Sequence, residues 1–201
     1  MRIGIDIDNT VICYDGSFAS LAKEEGFLNS ELNSKEEVKT AYHSLGLHNQ
    51  FTRLQGKVYG EYIAEAELFE GCSNFITMAR TAGYHLFLVS HKTKYPILGR
   101  KVDLRNATKK FLEDVNVIGC KTIQARFVYF EDTLEAKIER IKQLQLDAHI
   151  DDLAGVLMHP KFPAQTRQIL FDPNNMSKGN NSFARYSSWK DIQSSLKIRD
   201  A

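Results

Sequence analysis

Cysteine is scarce in this 201-residue chain, and the three present, Cys13, Cys72 and Cys120, form no CxxC pair. An odd, unpatterned set argues against a disulfide framework and against a zinc site, leaving small thiols in a reducing compartment. No apolar run approaches the roughly 20 residues of a membrane span. Neither sign of charge is in excess, since 26 Lys and Arg face 25 Asp and Glu for a net +1. The total therefore makes no case for a nucleic acid polymer or an anionic membrane as partner. Acids at positions 6 and 8 would spoil the apolar stretch of a secretion signal, so a cytoplasmic location is expected. Internal repeats and long low-complexity tracts are also missing. What remains is an ordinary globular balance, 43% hydrophobic and 25% charged, suited to one domain or one domain with an insertion.

The patterned segments alternate. Residues 2–8 read as a short strand rich in β-branched residues, and 85–89 as a continuously apolar strand covered on both faces. A helix over 74–82 precedes the second strand and stops at Gly83, a good residue for a left-handed helix end. Further strands are expected at 126–130, 148–150 and 168–171. Between the first two of these, Asp132 with Glu135 three residues on suggests a capping box. The helix that follows puts Leu134, Ile138, Ile141 and Leu144 on one face. This alternation predicts an α/β fold with a doubly wound, mainly parallel sheet. Residues 17–70 look wholly helical and exceed what one crossover needs. They read as a small helical cap inserted after the first strand, in a core made of 1–16 and 71–201. Residues 172–188 read as a long loop, and 189–196 as a final short helix.

In such sheets, ligands bind beyond the carboxyl ends of the strands. Three ends carry polar groups: Asp6-Ile-Asp8-Asn9-Thr10, Ser90-His91-Lys92 and Asp151-Asp152. Lys137 lies early in the helix that leads to the third of these ends. Asp6 and Asp8, two apart on an extended backbone, point the same way and repel, a conflict that a bound cation or a held proton resolves. This set suits phosphoryl transfer. Asp6 would attack phosphorus and Asp8 would protonate the leaving oxygen, then deprotonate the hydrolytic water. Mg²⁺, a hard cation held by oxygen, would bridge Asp6, Asp151 and the phosphate. Ser90, Lys137 and backbone N–H groups around Asn9 and Thr10 would meet the equatorial oxygens. Taken singly, Asp151-Asp152 could equally be a helix N-cap and Lys137 a surface lysine.

The ordered set resembles the haloacid dehalogenase superfamily in its phosphatase branch. The apolar strand ending Asp-x-Asp-x-Thr stands as Ile3 to Thr10, the strand ending in Ser as Leu86 to Ser90, the helical lysine as Lys137, and the acidic pair as Asp151-Asp152. The resemblance spans residues 3 to 152. It implies a core of that family with a cap of its first type, and metal held by Asp6, Asp8 (through its backbone carbonyl) and the pair Asp151 and Asp152. It also implies that Thr10 steadies the general acid, and that Asp8 favours phosphate over haloacid chemistry.

Substrate choice is less constrained. His91, Lys92 and Lys94 make a basic loop at the site's edge, with Arg100 and Lys101 nearby, and Arg53, Phe51 and Tyr59 are offered by the cap. His149, within a strand beside the acidic pair, is a candidate for tuning it. The expected partner is a small phosphorylated metabolite, handled by a monomer or homodimer. A 5′(3′)-deoxyribonucleotidase-like activity, a phosphomutase or phosphotransferase, a phosphorylatable receiver-like switch and a silent binding module are the competing readings.

Overall fold

The computed structural model describes residues 1–26, 32–176 and 183–198. Parts of the expected cap (27–31) and of the expected loop (177–182) lie outside the described residues. In chain order the strands are β1 (Arg2–Ile5), β2 (Ile12–Cys13), β3 (Glu67–Leu68), β4 (His85–His91), β5 (Val128–Glu131), β6 (Ala148–Asp151), β7 (Arg167–Phe171) and β8 (Ala184–Tyr186). The α-helices are α1 (Asp15–Glu24), α2 (Lys35–Ser44), α3 (His48–Val58), α4 (Cys72–Thr81), α5 (Leu104–Asp114), α6 (Leu134–Gln143), α7 (Ala154–Leu157) and α8 (Trp189–Ser195).

Six strands form one sheet in the order β5-β4-β1-β6-β7-β8, and every pairing in it is parallel. The chain runs outward from β1 through β4 to β5, then returns to β1's other side at β6. That reversal opens a crevice at the carboxyl end of β1, where a doubly wound sheet binds its ligand.

Alternation along the strands separates two cores. Ile3, Ile5, Leu86, Leu88, Ala148, Ile150, Ile169 and Phe171 face one side, in a cluster that also takes in Phe18, Val38, Tyr42, Phe51 and Leu54 of the inserted helices. Phe87, Val89 and Leu170 face the other side, against Ile138 and Ile141 of α6 and Val156 and Leu157 of α7. With both faces covered, the central strands can be apolar throughout. The inserted helices share the first cluster with the sheet instead of building a separate one.

Gly4 is dictated by its neighbours. It pairs with His149 across β1 and β6, and a Cβ there would lie 2.3 Å from Leu146 Cδ1 and 2.7 Å from His149 Nδ1. Gly4→Ala should therefore cost about 1–3 kcal/mol of stability through overpacking. A chemical denaturation midpoint equal to that of the wild type would refute this.

Several expectations need correction. The first strand stops at Ile5, because Val11 and Ile12 N–H both donate to Ile7 O and bend the chain into a turn. Segment 17–70 is not wholly helical: α1 begins earlier, at Asp15, and β3 pairs antiparallel with β2, tying the two ends of the insertion together. The expected loop 172–188 contains β8, which extends the sheet beside β7. The N-cap of α6 is Thr133, whose hydroxyl accepts from Ala136 N–H at 3.1 Å, while Asp132 turns outward to Arg105. The helix α4 does end as expected, with Gly83 at φ 79°.

Candidate active site

Parallel packing brings the three polar strand ends together. Asp6 N–H donates to Ile150 O at 2.9 Å, so the tip of β1 sits directly against β6 and its terminal Asp151. Alternation points Gly4, Asp6, His149 and Asp151 to the side covered by α6. There Lys137, in the second turn of α6, reaches down between the two acids. Its Nζ lies 2.5 Å from Asp6 Oδ1 and 2.6 Å from Asp151 Oδ2. It is 2% exposed, so it is not a solvated surface lysine. A cavity of about 480 Å³ opens beside this group and is lined by Asp6, Asp8, Asn9, Ser90, His91, Lys137 and Asp152, with Lys35, Gln55 and Tyr59 from the inserted helices. Asn9 takes φ 59°, a left-handed conformation that Asn tolerates better than most residues.

Asp151, Asp6 and Asp152 have different surroundings. Asp151 is fully buried: burial would raise it, but the Lys137 ammonium and the His149 hydrogen bond outweigh that and hold it at about 2. Its Oδ2 meets both Lys137 and His149, and its Oδ1 accepts from Leu153 N–H at 3.0 Å. The N-cap alternative is not what the structure shows: the N-cap of α7 is Leu153, and the Asp151 bond to Leu153 N–H closes a turn before that helix. Asp6 is pushed well above the usual carboxylate range by burial, and the Asp151, Asp152 and Asp8 charges add to this against the pull of Lys137. Asp152 rises to about 7, mainly through burial and then the Asp151 charge. Lys137 is raised because the Asp151 and Asp6 carboxylates outweigh its own burial. His149 is lowered by burial despite its bond to Asp151. Negative charge in this crevice exceeds what the lysines neutralise.

A hard cation fits that donor set. Among the described residues no three His, Cys, Asp or Glu side chains converge into a closed metal cage. Mg²⁺ does not need one, since it is commonly held by one or two carboxylates with water and substrate phosphate completing its shell. Asp6 and Asp152 line the cavity and are the carboxylates left undercompensated. Asp151, with both oxygens already engaged, is better placed to anchor Lys137 than to meet an ion.

Other expected residues are dispersed. His91 lines the cavity, and its Nε2 lies 3.2 Å from Asp132 O. Lys92 is buried, with Nζ 2.9 Å from Asp8 Oδ1. Lys94 is exposed and pairs loosely with Asp103 at 3.8 Å. Arg53 lines a separate depression with Arg100, which itself pairs with Glu61 at 2.7 Å. Thr10 is buried, and among the described residues its hydroxyl has no hydrogen-bond partner. The general acid candidate Asp8 is steadied instead by Tyr14, whose hydroxyl donates to its Oδ1 at 2.7 Å.

Two lining residues, Lys35 and Gln55, are not among the expected site residues, and they join Tyr59, which the cap is expected to offer. Lys35, in the charged cluster Lys35-Glu36-Glu37 of the expected cap, begins α2 and reaches the cavity. There Tyr59, Asp152 and Asp8 outweigh burial and raise its pKa. Gln55 and Tyr59 lie four apart on one side of α3 and its end, a spacing that marks a shared face but not what the face meets.

No protein-family model matches the chain, and no curated protein does. Solved structures do match. A HAD-superfamily hydrolase of subfamily IA from Geobacter sulfurreducens superposes with a TM-score of 0.60 at 10% identity, over 97% of this chain and 95% of that one. A HAD-family hydrolase from Deinococcus radiodurans, with bound phosphate and sodium, gives 0.58 at 12% identity over 97% and 94%. A HAD hydrolase from Bacillus subtilis bound to magnesium gives 0.54 at 13% identity over 98% of each chain. At these identities the likeness is one of architecture. The chain has the α/β fold of the haloacid dehalogenase superfamily hydrolases.

Proposed function

We propose that this protein is a magnesium-dependent phosphatase that hydrolyses a small phosphomonoester through an aspartyl-phosphate on Asp6. One observation carries the reading: Asp6, Asp8, Ser90, Lys137 and Asp152, drawn from distant parts of the chain, line a single cavity. The solved structures of the same fold that hold phosphate or magnesium add support.

In this mechanism Asp6 attacks phosphorus as the ester P–O bond breaks, and Asp8 gives its proton to the departing oxygen. Asp8 then takes a proton from the water that cleaves the aspartyl-phosphate. Lys137 and Lys35, which both line the cavity, face the charge that develops on the phosphoryl oxygens, and Ser90 donates a hydrogen bond. Asp6, Asp152 and the backbone carbonyl of Asp8 would hold Mg²⁺, which when bound would neutralise phosphoryl charge and favour the ionised nucleophile.

Beside Asp8 a second space of about 260 Å³ is lined by Thr52, Gln55, Gly56, Tyr59, Pro96, Ile97 and Leu104. Its lysine, Lys92, is already engaged with Asp8 Oδ1 at 2.9 Å. A leaving group without charge and partly apolar suits this wall better than one carrying a second phosphate.

Release of inorganic phosphate from a panel of phosphomonoesters tests the reading. Turnover should vanish in EDTA and return with Mg²⁺, and Mg²⁺ alone should raise the unfolding midpoint of the wild type more than that of Asp152→Asn. Transfer to a second hydroxyl without phosphate release would replace hydrolysis by phosphotransfer.

A further inference from the structure

We propose that Lys92 is a positioning residue for the general acid: with Tyr14 it holds Oδ1 of Asp8, so that Oδ2 is the oxygen that serves the leaving group. The inference rests on the phosphatase reading and adds to it a third lysine, distinct from Lys137 and Lys35, with its own task.

The geometry is specific. Lys92 follows the end of β4 and turns inward to 4% exposure. Its ammonium donates to Thr108 Oγ1 at 2.8 Å and lies 2.9 Å from Asp8 Oδ1. It stands 4.8 Å from the centre of the Tyr59 ring and 5.9 Å from that of Tyr14. The backbone is held as well: Lys92 N–H donates to Glu131 O at 3.0 Å, and Arg105 Nε donates to Lys92 O at 2.8 Å. Thr108 and Arg105 both belong to α5, so that helix sets where the ammonium sits.

The chemistry follows from what these groups can donate. An ammonium has three donors and no acceptor. The Tyr14 hydroxyl donates to the same oxygen at 2.7 Å. Two donors converging on Oδ1 leave Oδ2 to carry the acid's proton. During attack by Asp6 the ester P–O bond breaks and the Oδ2 proton passes to the leaving oxygen, so negative charge appears on Asp8. Hydrogen bonds from Lys92 and Tyr14 strengthen as that charge forms, because bonds to an ionised acceptor are the stronger kind. Stabilisation that grows during the step lowers the barrier. A lysine kept out of water only for packing would gain nothing over an apolar side chain of its size, given the cost of burying a charge.

The test compares two esters of similar shape, p-nitrophenyl phosphate, whose leaving group departs readily unprotonated, and phenyl phosphate, which needs the acid more. The readout is kcat/KM, which ends at formation of the aspartyl-phosphate and omits Asp8's later role as base. Lys92→Ala should lose about 100-fold on phenyl phosphate and less than about 10-fold on p-nitrophenyl phosphate. Added methylammonium should restore the phenyl phosphate rate preferentially. Tyr14→Phe, a change of one atom, should show the same selectivity at about 10-fold and serves if Lys92→Ala fails to fold. Equal losses on both esters in the folded variants would overturn the proposal while leaving the phosphatase reading in place. A wild type that hydrolyses neither ester, with Mg²⁺ present, would overturn both.

Discussion

Asp6→Asn is expected to lose about 10⁴-fold or more in turnover, the scale on which removing a covalent nucleophile acts. Its unfolding midpoint should stay at or above that of the wild type. The two halves share one cause. Burial and three neighbouring carboxylates raise Asp6 well above the ordinary range, so the ionised form needed for attack is costly to keep in the fold. An amide of the same shape removes the charge and the conflict together. Asp151 remains to neutralise Lys137, at 2.6 Å. Parallel measurement of phosphate release and thermal unfolding decides the matter: a folded Asp6→Asn protein with substantial turnover would remove the nucleophile from the mechanism.

Lys137→Met should fail in both respects. The ammonium is 2% exposed and touches two buried carboxylates. Removing one partner from such a group leaves buried charge unpaired, which costs about 3–5 kcal/mol. In a chain of this size that corresponds to about 6–20 °C in the unfolding midpoint. Phosphate release should fall with it, because the cation facing the phosphoryl oxygens is gone. Mg²⁺ should recover more of the midpoint in Lys137→Met than it adds to the wild type, since it supplies positive charge where the lysine did. A midpoint within about 2 °C of wild type would mean that the three charges do not hold one another as their distances indicate.

Much of this arrangement was legible in the residues. Apolar strands of four to seven residues, a glycine closing α4 and the 3.6 period of α6 carry the parallel α/β reading. Acids and a serine at strand ends, with a lysine early in α6, carry the site, because chemistry in such sheets gathers at carboxyl ends. Some signals were present but unused: Leu104, Thr108, Phe111 and Leu112 mark α5 by their spacing, and these residues are buried. Others were weak in principle. The three residues of β8 are too few for a periodic signal, and its role depends on β7 lying beside it.

The division of labour among like residues could not be read locally. Asp151 and Asp152 are neighbours, yet one is held at about 2 by Lys137 and His149, and the other is raised to about 7 at the cavity wall. Lys92 and Lys94 are two apart, yet one is buried against Asp8 and the other is exposed on the loop. Backbone pattern and turn chemistry are local properties, so the amino-acid order by itself determined β1, β4, β5, β6 and β7, most of the helices and which acids stand at which tips. Electrostatic environment is set by groups brought from as far apart as positions 6 and 137, with 131 residues between their numbers. Only the packed tertiary structure decided which carboxylate is paired, which is left for an ion and which lysine serves each.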